Sequence, residues 1–202
     1  MNWEVECQKI SRGIRERVLE HTINHGGYLS QACSSAEIFS ILYNKSMKLG
    51  PSEGLFSTHK FEGTPSVNNP HQQKGFLYNG AKNPDLDRFF LSPSHYALTL
   101  YAALIETKRL NDKALKEFNK DGSVLDMIGS EHSPGHETNG GSFGQTISQA
   151  AGVAWARRRK KEKGLVWLFL SDGEFQEGQT WEALMSMACL LYTSDAADER
   201  LR

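Results

Sequence analysis

The chain has 202 residues, 23 basic and 24 acidic side chains, and a formal net charge of −1. That length fits one large domain or slightly more and allows a real hydrophobic core. The balanced charge gives no reason to expect a nucleic-acid or membrane-surface partner.

In chain order, Ile10, Ile14 and Val18 recur every fourth residue, which predicts an amphipathic helix over 4–23. His25-Gly26-Gly27-Tyr28 breaks it. Ser34 with Glu37 three places on reads as a capping box, opening a helix expected to run to about Met47. Residues 49–87 are rich in Gly, Pro and Asn with little periodicity; a connection that long is either functional or partly disordered. Phe89-Phe90-Leu91 reads as a short strand. Ser92-Pro93-Ser94 then supplies the cap and first turn of a helix carrying Leu98, Ala102 and Ile105. Residues 111–119 read as a further short helix.

A polar, glycine-rich loop over 135–144 leads into a helix of small residues, Ala150, Ala151, Gly152, Ala154 and Ala156, which permit close packing. The densest basic run, 157–161, ends that helix, where cations suit the dipole, and reads as a solvated end. Cys7, Cys33 and Cys189 show no metal-ligand spacing, which suggests free thiols in a reducing compartment. No signal peptide opens the chain and no apolar stretch could span a bilayer, so a cytoplasmic location is expected.

The most informative segment is LVWLFLSDGEFQEGQTWE, from Leu165 to Glu182. A continuous apolar run over 166–170 reads as a strand buried on both faces, as in parallel sheets. Ligands of open α/β sheets bind at the carboxyl ends of such strands. That end presents Asp172, Gly173 and Glu174. A carboxylate there can bind Mg²⁺ together with substrate phosphates, and the glycine lets phosphate approach the backbone. Asp-Gly-Glu alone reads equally well as an ordinary turn with an acidic helix cap. The element order predicts an α/β fold with a parallel sheet, incomplete at its C-terminal end.

Taken together, these blocks resemble the transketolase family of thiamine-diphosphate enzymes, in its N-terminal, diphosphate-binding half. Four segments carry the resemblance: SSAEIFSILY from Ser34, NPDLDRFFLSPSHYALTLYAAL from Asn83, PGHETNGGSFGQTISQAAGVAWA from Pro134, and SDGEFQEGQTWEA from Ser171. The resemblance implies that Asp172 ligates Mg²⁺ and that the Gly173 backbone lies against the diphosphate. Gly141 and Phe143 match the loop along the cofactor, with Phe143 touching its rings. Glu177 matches an acidic residue at the cofactor-bearing subunit interface, and Glu182 goes with it; without the resemblance both read as a solvated helix face. His95 matches a histidine facing the thiazolium and the donor substrate, although the residues alone suit a helix-capping role. His132 is the candidate for a further substrate-binding histidine. The reaction implied is transfer of a two-carbon ketol unit from a ketose to an aldose, free or phosphorylated. The assembly implied is a homodimer or a pairing with a C-terminal transketolase subunit. Other possibilities are a deoxyxylulose-phosphate synthase, a 2-oxo acid dehydrogenase component, or an inert fragment of the cofactor domain.

Three departures stand out. Tyr28 occupies the place of the histidine in the family's Gly-His-Pro-Gly-Gly, and with the long insertion this points to a non-standard sugar substrate. No asparagine follows Asn139, so the family's second metal ligand has no counterpart. From Cys189 onward, CLLYTSDAADE reads like a translated sequencing-library adapter. The expected division is therefore a truncated cofactor domain over 1–188 and a non-native tail over 189–202.

Overall fold

A computed structural model describes residues 2–192. Most of the tail read as non-native, 193–202, lies outside the described residues.

Helix α1, Trp3–His25, starts where the Asn2 carboxamide accepts the Glu4 N–H at 3.2 Å, with Glu4 and Glu6 favourably placed at the positive end of the dipole. Its buried stripe runs Cys7, Ile10, Ile14, Val18 and His21, the spacing of one helical face. It ends at Gly26, whose φ of 79° suits glycine and whose N–H donates to the Thr22 carbonyl at 2.9 Å. Helix α2, Leu29–Ile41, packs on α1 through Ala32, Ser35, Ala36 and Phe39, and a wider turn, Leu42–Ser46, carries it to Met47. The expected capping box is overturned here. Ser34 lies inside α2 and bonds back to the Gln31 carbonyl, while Glu37 reaches across to Arg15 of α1.

Strand β1, Arg88–Leu91, pairs in parallel with β2, Val166–Phe169, in the register Arg88↔Val166 to Leu91↔Phe169. The α/β class and the parallel sheet expected from the sequence are those observed. Phe89, Phe90 and Leu91 of β1 are buried. The expectation that β2 is buried on both faces is corrected: all four of its residues are half-buried. Its neighbours include β1 on one edge and helix α4, Gln145–Arg159. Phe39 of α2 stacks on Phe169 at 5.0 Å and meets Phe89 edge-on at 6.2 Å, joining the helices to the sheet. Helix α3, Ala97–Glu106, is apolar nearly all round, and every residue from Ala97 to Ile105 is buried. It lies in the core and packs on α1 and α2.

Residues 111–119 form a single tight turn, Ala114–Glu117, rather than the expected helix. Arg157 also departs from the solvated reading. Its guanidinium is buried, donates to the Pro84 and Leu86 carbonyls at 3.1 and 2.8 Å, and pairs with Glu162 at 3.2 Å. Helix α5, Gly178–Met187, packs on α4, and a wider turn, Ala188–Tyr192, continues it.

The long segment before β1 is ordered by named bonds. Lys48 and Asp87 close its neck: the Asp87 N–H donates to the Lys48 carbonyl and the Lys48 N–H to the Asp87 carboxylate, both at 2.9 Å. Inside it, Arg109 donates to the Gly50 and Tyr78 carbonyls, and the Tyr43 hydroxyl donates to Asn79 at 3.0 Å.

Candidate functional site

The carboxyl ends of β1 and β2 lie side by side, and three segments meet there. After β1 come Ser92 and the turn Ser94–Tyr96, which presents His95. The glycine loop reaches the same end, where the Gly141 N–H donates to the Ser92 carbonyl at 3.3 Å. After β2 comes the turn Asp172–Gln176. One buried side chain joins all three. The Glu174 carboxyl group, 0% exposed, accepts from the Gly144 N–H at 3.2 Å, from the Ser171 N–H at 3.0 Å and from the Ser92 hydroxyl. The Thr180 hydroxyl donates to the Glu174 carbonyl at 2.7 Å, which ties α5 to the same knot.

Around that knot a half-exposed face carries most of the residues singled out from the sequence. The His95 ring meets Phe143 at 6.0 Å and Tyr28 at 6.3 Å, both edge-on. Gly141 has a φ of 97°, and a side chain there would press on Ile128 at 3.0 Å and approach Ser94. Gly173 faces the Phe143 ring, which would lie 3.8 Å from an added Cβ. Asp172 is exposed beside it, and Glu177 packs next to Gly144. Burial lowers the proton affinity of His95, and Glu174 partly opposes that shift. The imidazole is therefore neutral at pH 7, able to accept a proton or donate one hydrogen bond.

His132 sits elsewhere. Its Nε2 lies 2.7 Å from the Asp126 carboxylate, and the ring of Phe61, from the long segment, covers it at 4.3 Å. Among the described residues His132 shares no hydrogen bond or ring contact with the His95 face. Links between the two clusters include 126–129, where the Gly129 carbonyl accepts from Gly140 at 2.9 Å and Ile128 abuts Gly141, and the Glu131 N–H, which donates to Asn139 at 3.2 Å.

The sequence reading missed Glu174 as the organising residue, and Asp126 and Phe61 as partners of His132. It also passed over His136, which is 1% exposed with Nδ1 3.3 Å from the Pro134 carbonyl and an unpartnered Nε2. Burial pushes the His136 imidazole down to about 4. Because this lies below the ordinary value of 6.5, the stability it contributes is complete above that pH and is lost as pH falls toward 4. Urea unfolding is expected to show a loss of roughly 3 kcal/mol between pH 7.5 and 4 from this group, reduced in His136→Met. An equal loss in parent and variant would refute the assignment.

A diphosphate with a divalent cation suits this face on its donor chemistry. Asp172 offers one exposed carboxylate, whereas Glu174 is turned inward and committed to protein donors. No cluster of three metal-binding side chains exists among the described residues. That set fits Mg²⁺, which is commonly held by one or two carboxylates with phosphate oxygens and waters completing the shell. It does not fit a cage made by protein alone.

The fold and its site define an α/β domain of the class that binds ligands at the carboxyl ends of parallel strands. Residues 72–194 match the family model described as transketolase, thiamine diphosphate binding domain. The chain belongs to the transketolase family and carries this domain. It is 34% identical over 176 residues to a putative uncharacterized transketolase family protein, y4mO, of Sinorhizobium fredii, covering 84% of this chain and 53% of that protein. It is 29% identical over 187 residues to the 6-deoxy-6-sulfo-D-fructose transketolase subunit SqwG of a Clostridium species, covering 90% and 57%. It is 25% identical over 186 residues to an apulose-4-phosphate transketolase subunit of Actinobacillus succinogenes, covering 91% and 58%. The chain thus spans little more than half the length of these relatives. None of the described helices is long and apolar enough to cross a membrane.

Proposed function

We propose that this chain is the cofactor-holding part of a transketolase-like enzyme that moves a two-carbon ketol unit from a ketose, free or phosphorylated, to an aldose. It works with thiamine diphosphate and Mg²⁺ and pairs with a second copy or with a C-terminal transketolase subunit. Two relatives are themselves named as subunits, which supports the paired form. The thiols of Cys7 and Cys33, which form no disulfide, suit a cytoplasmic setting. The observation that carries the reading is the meeting of Asp172-Gly173, Gly141, Phe143 and His95 on one face at the strand ends.

In this reading Asp172 ligates Mg²⁺, the Gly173 backbone accommodates the diphosphate, and Gly141 and Phe143 line the rest of the cofactor. Thiamine diphosphate, when bound, supplies the electron sink for carbon–carbon cleavage. His95 hydrogen-bonds the substrate oxygen on which charge develops. His132, oriented by Asp126, meets a more distant hydroxyl of the sugar, and Glu177 belongs to the subunit interface. The sugars in the names of those two relatives, a sulfonated fructose and apulose 4-phosphate, support a non-standard substrate here. Tyr28 and Phe61 would shape the pocket for it.

Asp172→Asn is expected to weaken calorimetric binding of thiamine diphosphate with Mg²⁺ by roughly a hundredfold, about 2.7 kcal/mol. Equal binding by parent and variant would remove the metal assignment, and no ketol transfer across a panel of ketose donors with the assembled enzyme would remove the reaction.

A further inference from the structure

The long segment before β1 closes over His132 through a short run, 59–62, that lies along the Gly122–Ser123 edge. Lys60 and Ser123 form an antiparallel bridge, and the Phe61 N–H donates to the Gly122 carbonyl at 2.9 Å. The Phe61 ring then covers His132, which is left buried. His59, two places before Phe61, meets the side chain of Gln72, and the two nitrogens lie 2.9 Å apart. Gln72 is buried and its orientation is fixed. Its Oε1 accepts the Glu62 backbone N–H at 2.8 Å, so its NH₂ is the group that faces His59.

An amide NH₂ donates and does not accept, so His59 Nε2 must present its lone pair. The ring is then neutral, with its proton on Nδ1, a buried atom that has no partner. A second proton, at Nε2, would set donor against donor. Burial lowers the proton affinity of His59; the charge of Glu62 opposes that shift and the charge of His132 adds to it. His132 is itself paired with Asp126. Lys60, Lys120 and Asp121 border the same edge but stay exposed. Once released, His59 recovers its ordinary value of 6.5, above its value when bonded to Gln72. Closure is therefore fully supported above pH 6.5 and loses support as pH falls through the lower value.

We propose that His59 and Gln72 form a pH-sensitive latch: protonation of His59 releases 59–62 from the Gly122–Ser123 edge and uncovers His132. The unpartnered Nδ1 keeps the closed state shallow, because a buried donor without an acceptor is costly. The latch stands on the contacts of this segment. Only its bearing on sugar access rests on the function proposed above, which gives His132 a substrate hydroxyl.

The test is amide hydrogen exchange of the full chain by NMR. It compares protection of the Phe61 N–H with that of Leu104, buried within α3, which reports global opening. Lowering pH from 7.5 to 5.5 is expected to reduce Phe61 protection relative to Leu104 by about threefold, through linkage to one proton. His59→Gln keeps an acceptor for Gln72 but does not titrate in this range, and is expected to flatten the profile. Gln72→Glu still accepts the Glu62 N–H and also accepts from a protonated His59, so its relative protection is expected to rise as pH falls. Three results would each overturn the latch: a flat profile in the parent, a parent-like fall in His59→Gln, or a parent-like fall in Gln72→Glu. Because exchange needs neither cofactor nor sugar, it is separate from the calorimetric test of the proposed function. Failure of that titration beside a falling Phe61 profile removes the function and leaves the latch; a flat profile with intact cofactor binding removes the latch alone.

Discussion

Glu174→Ala is expected to destabilise the fold by about 3–5 kcal/mol, the cost of leaving two buried N–H groups and a hydroxyl without their acceptor. Gly144, Ser171 and Ser92 all direct donors at this one carboxyl group, which is wholly shielded from water. It also stands at the N-terminus of α4, where the helix dipole favours negative charge. Glu174→Gln retains the volume but turns an amide NH₂ toward at least one donor, so a smaller loss, about 1–2 kcal/mol, is expected. Both variants should also weaken cofactor binding in calorimetry. The residue touches no ligand in the proposed scheme, but it fixes the spacing between Asp172, His95 and the glycine loop. Urea unfolding of the alanine variant within about 0.5 kcal/mol of the parent would show that this knot is not what holds the three segments.

The second large effect is expected at the ion pair between Arg88 and Glu137. The Glu137 side chain is 1% exposed and receives a two-pronged contact from the Arg88 guanidinium, with Nε 2.7 Å from both carboxylate oxygens. This pair fastens the start of β1 to the loop that leads to Gly141. Arg88→Ala strands a carboxylate in the interior and is expected to cost about 3–5 kcal/mol. Arg88→Met combined with Glu137→Met removes both charges and should recover most of that loss, because a well-packed apolar pair avoids the desolvation penalty. A double variant no more stable than Arg88→Ala would mean that the geometry of the pair, rather than its charge balance, supports the loop.

Much of the architecture is legible in the chain itself, and the exceptions have physical reasons. Helix α1 is legible because Ile10, Ile14 and Val18 all face one way and Gly26 stops the helix. The start of α2 is not, because Ser34 and Glu37 have capping-box spacing, yet Glu37 answers a cation on another helix. Apolar content marks β2 as a strand but cannot say how many neighbours cover it. At the acidic turn, Asp172, Glu174 and Glu177 look alike on paper. Only the fold shows that the middle one points inward and the outer two do not. Similarly, His132 and His136 share one loop, and only packing distinguishes the one paired with Asp126 from the one sealed against Gly129.

The pair of hydrogen bonds between Lys48 and Asp87 makes the excursion from 49 to 86 leave and rejoin the domain at one point. Loops closed at the neck tolerate changes in length cheaply, since each doubling adds only about 0.6 kcal/mol of closure entropy. Phe61 travels on this excursion, so changes around it alter what rests over His132, while Tyr78 and Asn79 keep the excursion anchored in the core. Selectivity can thereby drift while the scaffold stays the same.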